Sequence, residues 1–335
     1  MTSSIIRQAG DIPLIDLAPF RRGAPGAKAE TARAIAGALE SIGFFGICNH
    51  GLEDAAVHRA LAAGRQFFAL PLDEKLEVKI SPAHRGYMPM GDQHRAEAKR
   101  PNLSESFLVG RVLAPDDPDL LAGKPMHGPN QWPPRPAVLR PALDAYYAEA
   151  TQLGYRLVEL FEAALDLPEG YFRASFGRHM GFIRALHYPE APDPRPADLF
   201  GAAPHTDFGF LTVVTQDDAG GLQVRRRDGV WIDAPRVPGA AVVNVGDMLM
   251  RWTNDRFVST PHRVLNPAGR ERYSLAFFFD PDFDTVVECL STCQGPGNPA
   301  RYPRTTWGEY LTSRFDANHA YRKAAATSSA TAGTA

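Results

Sequence analysis

The spacing of apolar residues changes near residue 181, and this change constrains the fold more than any other feature of the sequence. Before it, apolar side chains recur every three or four residues, as in 27–42 and 137–166, which predicts amphipathic helices. After it, apolar and polar residues alternate, which predicts strands. The predicted strands are 182–189, 210–217, 222–226, 230–235, 240–249, 263–266 and 272–280. Closely spaced strands in this number are typical of a sandwich or a jelly roll.

The segments before residue 181 predict a helical region with two short strands. Residues 12–17 and 43–51 are the strand candidates, and a second helix is expected over 53–70, before Pro71. Residues 81–135 are rich in proline, glycine and charge, so we expect long loops there. A short helix is expected over 306–315. The resulting division of the chain is 1–135 (N-terminal helical and loop region), 136–176 (long support helix), 177–285 (β core), 286–322 (C-terminal helical segment) and 323–335 (disordered polar tail).

Composition narrows the class of protein. The 335 residues include 36 Lys and Arg against 38 Asp and Glu, a formal net charge of −2. Proteins that bind nucleic acid or membrane surfaces rely on a basic excess, so we expect neither partner. The chain lacks the long apolar run of a membrane span and the apolar stretch of a signal peptide, which favours a cytoplasmic protein. Its three cysteines are expected to be reduced thiols, because they do not complete a zinc site.

Two histidines and an aspartate form a candidate metal site. His205 and Asp207 are two residues apart, and His262 follows 55 residues later. If His205 and Asp207 lie in a strand, their side chains point to the same face. A third ligand from a distant strand would then complete two imidazoles and one carboxylate on one side of a metal. This ligand set leaves the opposite positions open and suits non-haem Fe(II).

An arginine lies in an otherwise apolar predicted strand ten residues after His262. Arg272 and Ser274 share one face of this strand, and Tyr273, Leu275, Phe277 and Phe279 are among its other residues. A buried arginine needs an anion, because an unpaired charge in apolar surroundings is very costly. Its planar guanidinium matches a carboxylate, and the Ser274 hydroxyl can add a donor. The anion is either a carboxylate of the chain itself or a bound ligand.

Together these residues resemble the iron- and 2-oxoglutarate-dependent dioxygenases of the isopenicillin N synthase-like family. The resemblance extends over most of the chain, in the order in which the family's segments occur. The segments of this chain that resemble the family are IPLIDL (12–17), GFFGICNHG (43–51), RGYMP (85–89), LSESF (103–107), GPNQWP (128–133), 203–224 and 244–264. The resemblance implies a mainly β fold with flanking helices: a double-stranded β-helix core, jelly-roll or cupin-like, with a helical N-terminal region.

The resemblance also implies roles for individual residues. His205, Asp207 and His262 would hold Fe(II), while Arg272 and Ser274 would bind the distal carboxylate of the co-substrate 2-oxoglutarate. Tyr188 would add its hydroxyl to the co-substrate. Many plant members have asparagine two places before this tyrosine, where this chain has Leu186, so one co-substrate contact of the family is absent. O2 would be the oxidant, and ascorbate is a candidate reductant.

The implied reaction couples oxidation of a small organic molecule to decarboxylation of 2-oxoglutarate, with release of succinate and CO2. Hydroxylation, desaturation and ring closure all use this oxidant. Two alternatives keep the fold: a 2-oxoglutarate-independent iron oxidase, similar to isopenicillin N synthase or aminocyclopropane-carboxylate oxidase, and an ethylene-forming type. A third belongs to another class: a zinc hydrolase or an inactive metal-binding jelly roll, since zinc also takes histidine and carboxylate ligands.

Overall fold

The chain folds into two main sheets with helices packed around them, in a computed structural model that describes residues 5–8, 11–93 and 99–318. The long helix α6 and the helices α2 and α3 pack on one side of the large sheet. The α-helices of the described residues are α1 (Ala18–Arg21), α2 (Ala27–Ser41), α3 (Asp54–Phe68), α4 (Leu72–Leu76), α5 (Pro118–Leu121), α6 (Leu139–Ala164), α7 (Asp247–Trp252) and α8 (Trp307–Asn318).

The strands form a large sheet, a smaller sheet and a short ribbon. The large sheet has the order β1-β2-β3-β11-β8-β13-β6-β5-β4, the smaller one β10-β9-β12-β7, and the ribbon pairs β14 with β15. The strands are β1 (Ile6–Gln8), β2 (Leu14–Asp16), β3 (Phe44–Cys48), β4 (Gly86–Met88), β5 (Glu105–Gly110), β6 (Phe182–Tyr188), β7 (Ala202–His205), β8 (Leu211–Gln216), β9 (Leu222–Arg225), β10 (Trp231–Asp233), β11 (Ala241–Val245), β12 (His262–Val264), β13 (Arg272–Phe279), β14 (Val286–Val287) and β15 (Thr305–Thr306).

The two main sheets face each other across a layer of apolar side chains. Buried residues of the large sheet pack in one cluster with buried residues of the smaller sheet. Those of the large sheet include Leu186, Tyr188, Val242 and Ala276, and those of the smaller sheet are Leu222, Val224 and Val264. Two facing sheets of this kind, with helices outside, confirm the predicted mainly β, jelly-roll fold. The space between the sheets is where a ligand can be enclosed.

Helix α6 fixes the position of the central strand β13 from the other side of the large sheet. Leu153, Leu157 and Phe161 of α6 are fully buried in the main core. A Cβ atom built at Gly154 would lie 2.7 Å from the ring of Phe279, so the helix approaches β13 closely at this residue. Because Arg272 and Ser274 belong to the same strand, this contact also supports the site described below.

Three expectations about secondary structure are wrong. Residues 81–135 are not only loops, since they contain β4 and β5, which extend the large sheet. All six residues of β5 are buried, so the segment lacks the alternation that marks a half-exposed strand. The predicted strand 240–249 ends at Val245, and α7 follows. A continuous apolar run does not distinguish a strand from a buried helix by its period.

The third correction concerns the candidate metal site. Strand β7 ends at His205, so Asp207 lies beyond the strand rather than within it.

The predicted tail 323–335 lies outside the described residues, as does the end of the C-terminal segment 286–322. Within the described ranges, no helix is both long enough and apolar enough to cross a membrane.

Candidate active site

The candidate metal ligands meet at the edge of the smaller sheet. His205 at the end of β7 lies opposite His262 at the start of β12. Asp207 Oδ1 lies 3.8 Å from His205 Nε2 and 3.7 Å from His262 Nε2. The candidate ligand atoms of all three residues lie within 4.8 Å of one another. Strand pairing therefore brings together residues that are far apart in the sequence.

Backbone carbonyls orient both imidazole rings. Nδ1 of His205 lies 2.8 Å from the Ala203 carbonyl oxygen, and Nδ1 of His262 lies 3.1 Å from that of Thr260. A hydrogen bond to a carbonyl places the proton on Nδ1, so Nε2 carries the lone pair that binds a metal. Both Nε2 atoms face the same carboxylate oxygen.

Two neutral side chains orient the Asp207 carboxylate. Thr212 Oγ1 and Asn244 Nδ2 each donate to Asp207 Oδ2 over 2.7 Å. The other oxygen, Oδ1, faces the two histidines. The neighbouring strands β8 and β11 carry these donors at paired positions. Two imidazoles and one carboxylate, each oriented by a hydrogen bond through its other ring nitrogen or oxygen, fit Fe(II) with open coordination positions.

Arg272 lines the same cavity as the three candidate ligands. This cavity has a volume of about 650 Å³, including its opening to solvent. Its side chain is 1% exposed. Its Nη1 donates to Ser274 Oγ over 3.2 Å, its Nη2 donates to Gln216 Oε1 over 2.7 Å, and its Nε has no partner in the part of the chain that the structure describes. These partners are neutral, so the paired carboxylate considered from the sequence is not found among the described residues. A buried cation of this kind requires an anionic ligand.

Tyr188 and Ser274 also line this cavity. Tyr188 lies opposite Arg272 in the pairing of β6 with β13, and the guanidinium carbon lies 4.5 Å from the centre of the tyrosine ring. Ser274 lies opposite Leu186 in the same pairing. All six residues predicted from the sequence therefore line one cavity, with the three candidate metal ligands in the smaller sheet or just beyond it, and the other three in the large sheet.

A second cavity of about 560 Å³ adjoins the first. Both cavities are lined by His205 and Asp207, and also by Gln93, Arg184 and Phe278. The candidate metal centre therefore lies where the two cavities meet. One cavity extends from it toward Arg272, and the other extends toward helix α8.

Asp280 lines the second cavity and is buried. Its Oδ1 accepts a hydrogen bond from the Phe210 backbone amide over 2.7 Å. Burial, together with the nearby Asp207 charge, raises the pKa of Asp280 to about 7. The carboxyl group is therefore largely protonated below neutral pH.

Sequence reasoning missed several polar residues that line the two cavities or contact their lining. Gln216 contacts Arg272, Thr212 and Asn244 contact Asp207, and Arg184 lines both cavities. The available signal was a polar side chain inside an apolar strand, as at Asn244 in β11. That signal marks a buried polar contact without identifying the partner, because the partner comes from another strand.

Comparison with known proteins agrees with this geometry. Residues 12–135 match the family model described as non-haem dioxygenase in morphine synthesis N-terminal. Residues 179–281 match the model of the 2OG-Fe(II) oxygenase superfamily. The chain is 34% identical to the 2-oxoglutarate-Fe(II) type oxidoreductase hxnY of Emericella nidulans, over 93% of this chain and 92% of that protein. It is also 34% identical to a homoarginine-6-hydroxylase of Arabidopsis thaliana, over 87% of this chain and 90% of that protein.

Solved structures show the same similarity. A full-length Neurospora crassa protein in complex with alpha-KG and thymine superposes with a TM-score of 0.81 at 28% identity, covering 92% of this chain and 98% of that one. A rice dioxygenase for auxin oxidation superposes with a TM-score of 0.73 at 28% identity, covering 92% and 97%. The chain belongs to the Fe(II)- and 2-oxoglutarate-dependent oxygenases. It is a dioxygenase that uses Fe(II), 2-oxoglutarate and O2, which confirms the predicted family, enzyme class and cofactors.

Proposed function

We propose that His205, Asp207 and His262 hold Fe(II), and that Arg272, Ser274 and Tyr188 bind 2-oxoglutarate. All six lie within the predicted core segment 177–285. The metal assignment is supported by the two imidazole Nε2 atoms that face Asp207 Oδ1. When held by these residues, Fe(II) and 2-oxoglutarate would supply the activation of O2, with succinate and CO2 as the co-products of substrate oxidation. A ligand set of this kind would leave coordination positions for the co-substrate and O2.

The observation that carries the co-substrate assignment is the buried guanidinium of Arg272. A dicarboxylate that chelates the metal at one end would place its distal carboxylate near Arg272, where the guanidinium and the Ser274 hydroxyl can donate to it. The Tyr188 ring packs beneath the guanidinium and fixes its plane. Buried apolar residues such as Leu222 and Leu186 line the same space and exclude water from the bound acid.

The substrate enters the second cavity and meets the metal where the two cavities join. Relatives point to small molecules: the Neurospora crassa structure contains thymine, and the Arabidopsis thaliana relative is named for homoarginine. The net charge of −2 favours neither a nucleic-acid nor a membrane partner. The three cysteines form no disulfide, which favours a cytoplasmic location.

The test is an anaerobic titration of the metal-free protein with Fe(II) and then with 2-oxoglutarate, followed by the visible charge-transfer band of the chelate. The wild type is expected to develop the band only with both ligands. Arg272→Ala leaves the distal carboxylate without its partner in a buried site. We therefore expect the affinity for 2-oxoglutarate to fall by about 100-fold or more, while iron binding is retained.

Arg225→Ala is the matched control, because Arg225 is an exposed arginine of β9. It is expected to bind 2-oxoglutarate as the wild type does. An unchanged affinity in Arg272→Ala would show that the co-substrate assignment is wrong. Iron binding without a band in the wild type would favour the 2-oxoglutarate-independent oxidase instead.

A further inference from the structure

The second cavity contains an arginine at a defined distance from the co-substrate end of the site. Tyr188 and Arg184 lie on the same face of β6, four residues apart, which corresponds to about 13 Å along a strand. Tyr188 is paired with Arg272, whereas Arg184 is paired with Ala276. Arg272 therefore lines only the first cavity, whereas Arg184 lines both cavities, as do the candidate metal ligands His205 and Asp207.

A network of hydrogen bonds holds Arg184 in this position. Arg184 Nη2 donates to Gln93 Oε1 over 2.6 Å, and Arg184 Nε donates to Ser106 Oγ over 3.0 Å. Asn102 Nδ2 donates to the same Gln93 oxygen, and Asn102 Oδ1 accepts from the Ala203 backbone amide. Since Ala203 is in β7, which also carries His205, the network links Arg184 to the strand of a candidate metal ligand. Arg184 is thus oriented relative to the metal before any substrate arrives.

A second polar group of the cavity points to a ligand independently of Arg184. Trp307 lines the cavity and is fully buried, yet its indole nitrogen has no hydrogen-bond partner among the residues that the structure describes. A buried N–H without an acceptor costs about 1–3 kcal/mol, so such groups normally have a partner. An acceptor on a bound substrate would provide it.

The apolar part of the remaining walls is mostly aromatic, while Asp280 and Asp207 contribute carboxyl groups. Helix α8 contributes Leu311 and Phe315, one and two turns after Trp307, and the sheet contributes Phe182 and Phe278. The Phe182 and Phe278 rings stack with their centres 4.5 Å apart. Such walls favour a flat apolar body, whereas arginine and an indole N–H favour an acceptor with negative charge.

We propose that the substrate is a small aromatic carboxylate, whose carboxylate binds Arg184 and Trp307 while its ring packs against the phenylalanines. This inference rests on the function proposed above, because it assigns the substrate of the same site. The planar guanidinium matches a carboxylate better than a single amide oxygen, so the site discriminates by charge. A substrate held at Arg184 extends toward the metal centre that the two cavities share.

The test uses the anaerobic Fe(II)–2-oxoglutarate complex, so that binding is measured without turnover. Benzoate, benzamide and cyclohexanecarboxylate are titrated into the complex by calorimetry, while the charge-transfer band is recorded. Benzoate is expected to bind at least about tenfold more tightly than benzamide. Cyclohexanecarboxylate tests the aromatic walls and is expected to bind more weakly than benzoate, because it cannot stack.

Arg184→Gln is expected to weaken benzoate binding by about 10- to 100-fold and benzamide binding much less. Arg184→Lys keeps the charge and should retain part of the preference for benzoate. Trp307→Phe keeps a ring but removes the N–H, and should weaken benzoate binding by about 2- to 10-fold. Arg225→Gln, at the exposed arginine of β9, is the control that should bind as the wild type does.

Equal affinities for benzoate and benzamide in the wild type would overturn the inference, as would equal losses of both in Arg184→Gln. Loss of the band on adding benzoate would mean that benzoate displaces 2-oxoglutarate, which also contradicts it. A band that never forms, before any benzoate is added, is instead a failure of the proposed function. The same calorimetric titrations on the metal-free protein then decide the substrate class separately.

Discussion

At the residue scale, the orientation of Asp207 depends on two neutral donors. Removing the Asn244 amide in Asn244→Leu leaves Oδ2 with only the Thr212 donor and frees the carboxylate to rotate. Because groups that orient metal ligands typically change metal affinity by about 10- to 100-fold, we expect Fe(II) binding to weaken by that factor. Thr212→Val should act in the same direction. The measurement is the Fe(II) dissociation constant under anaerobic conditions.

Thr215→Val is the matched control for these variants. Thr215 belongs to the same strand as Thr212, but its hydroxyl contacts the Tyr146 hydroxyl on the other side of the sheet. We expect its iron affinity to equal that of the wild type. If Asn244→Leu and Thr212→Val also bind iron normally, the carboxylate does not need these donors to hold the metal.

The buried Asp280 carboxyl group makes the free energy of unfolding depend on pH. Its pKa of about 7 in the folded protein exceeds that of an unfolded aspartate, so folding is favoured by its protonated form. This contribution is present at low pH and is lost as pH rises from about 4 to about 7. The metal-free Asp280→Asn variant should therefore gain stability relative to wild type by about 2–3 kcal/mol between pH 5 and pH 8. Urea unfolding of both proteins at pH 5 and pH 8 measures this change. The same difference in free energy of unfolding between variant and wild type at both pH values would contradict the raised pKa.

The sequence indicated the six predicted site residues because their types and spacing form a known pattern. The roles of these residues stay predictions. Their position in one cavity could not be derived from spacing alone, because His205 and His262 meet through the pairing of two distant strands. Arg184 had no such pattern. Its position depends on Gln93 and Ser106, which lie far away in the sequence.

At the element scale, the close approach of α6 to β13 can be tested with two glycines. In Gly154→Ala the new methyl group would lie 2.7 Å from the Phe279 ring, which is itself fully buried. Overpacking of a buried contact costs about 1–3 kcal/mol, which outweighs the higher helix propensity of alanine. We expect a lower free energy of unfolding, measured by urea denaturation.

Gly37→Ala in α2 is the control, because nothing lies within 4 Å of the added methyl group. There the propensity term acts alone, and stability should rise by about 0.5–1 kcal/mol. Stabilisation by both substitutions would mean that α6 can move away from the sheet without cost. Destabilisation by Gly37→Ala would mean that helix propensity does not control α2.

Elements with a clear period were predictable, and elements with continuous burial were not. The period of 3.6 places α2 at 27–42, against Ala27–Ser41 observed, and α6 at 137–166, against Leu139–Ala164. By contrast, β5 is buried throughout and was expected to be a loop. The apolar run 240–249 contains both β11 and the start of α7. In each failure the sequence pattern lacked a polar face, which is the signal that the period depends on.

At the scale of the whole molecule, the pairing of distant strands was beyond the sequence pattern. Alternation predicts that strands exist, but it does not say that β11 lies between β3 and β8 or that β7 pairs with β12. The jelly-roll fold therefore followed from the number of strands together with the family resemblance. The same long-range pairing makes the cavity a product of both sheets, so its ligands bind only when both have formed.

This dependence predicts that the two ligands stabilise the entire fold. A ligand that binds only the folded state adds RT ln(1 + [L]/Kd), about 2.7 kcal/mol at a concentration of about 100 Kd. We therefore expect the free energy of unfolding, measured anaerobically in urea, to rise with Fe(II) and to rise again with 2-oxoglutarate. Arg272→Ala should keep the iron increment and lose most of the second, whereas Arg225→Ala should keep both. A second increment that survives in Arg272→Ala would place the 2-oxoglutarate carboxylate elsewhere in the molecule.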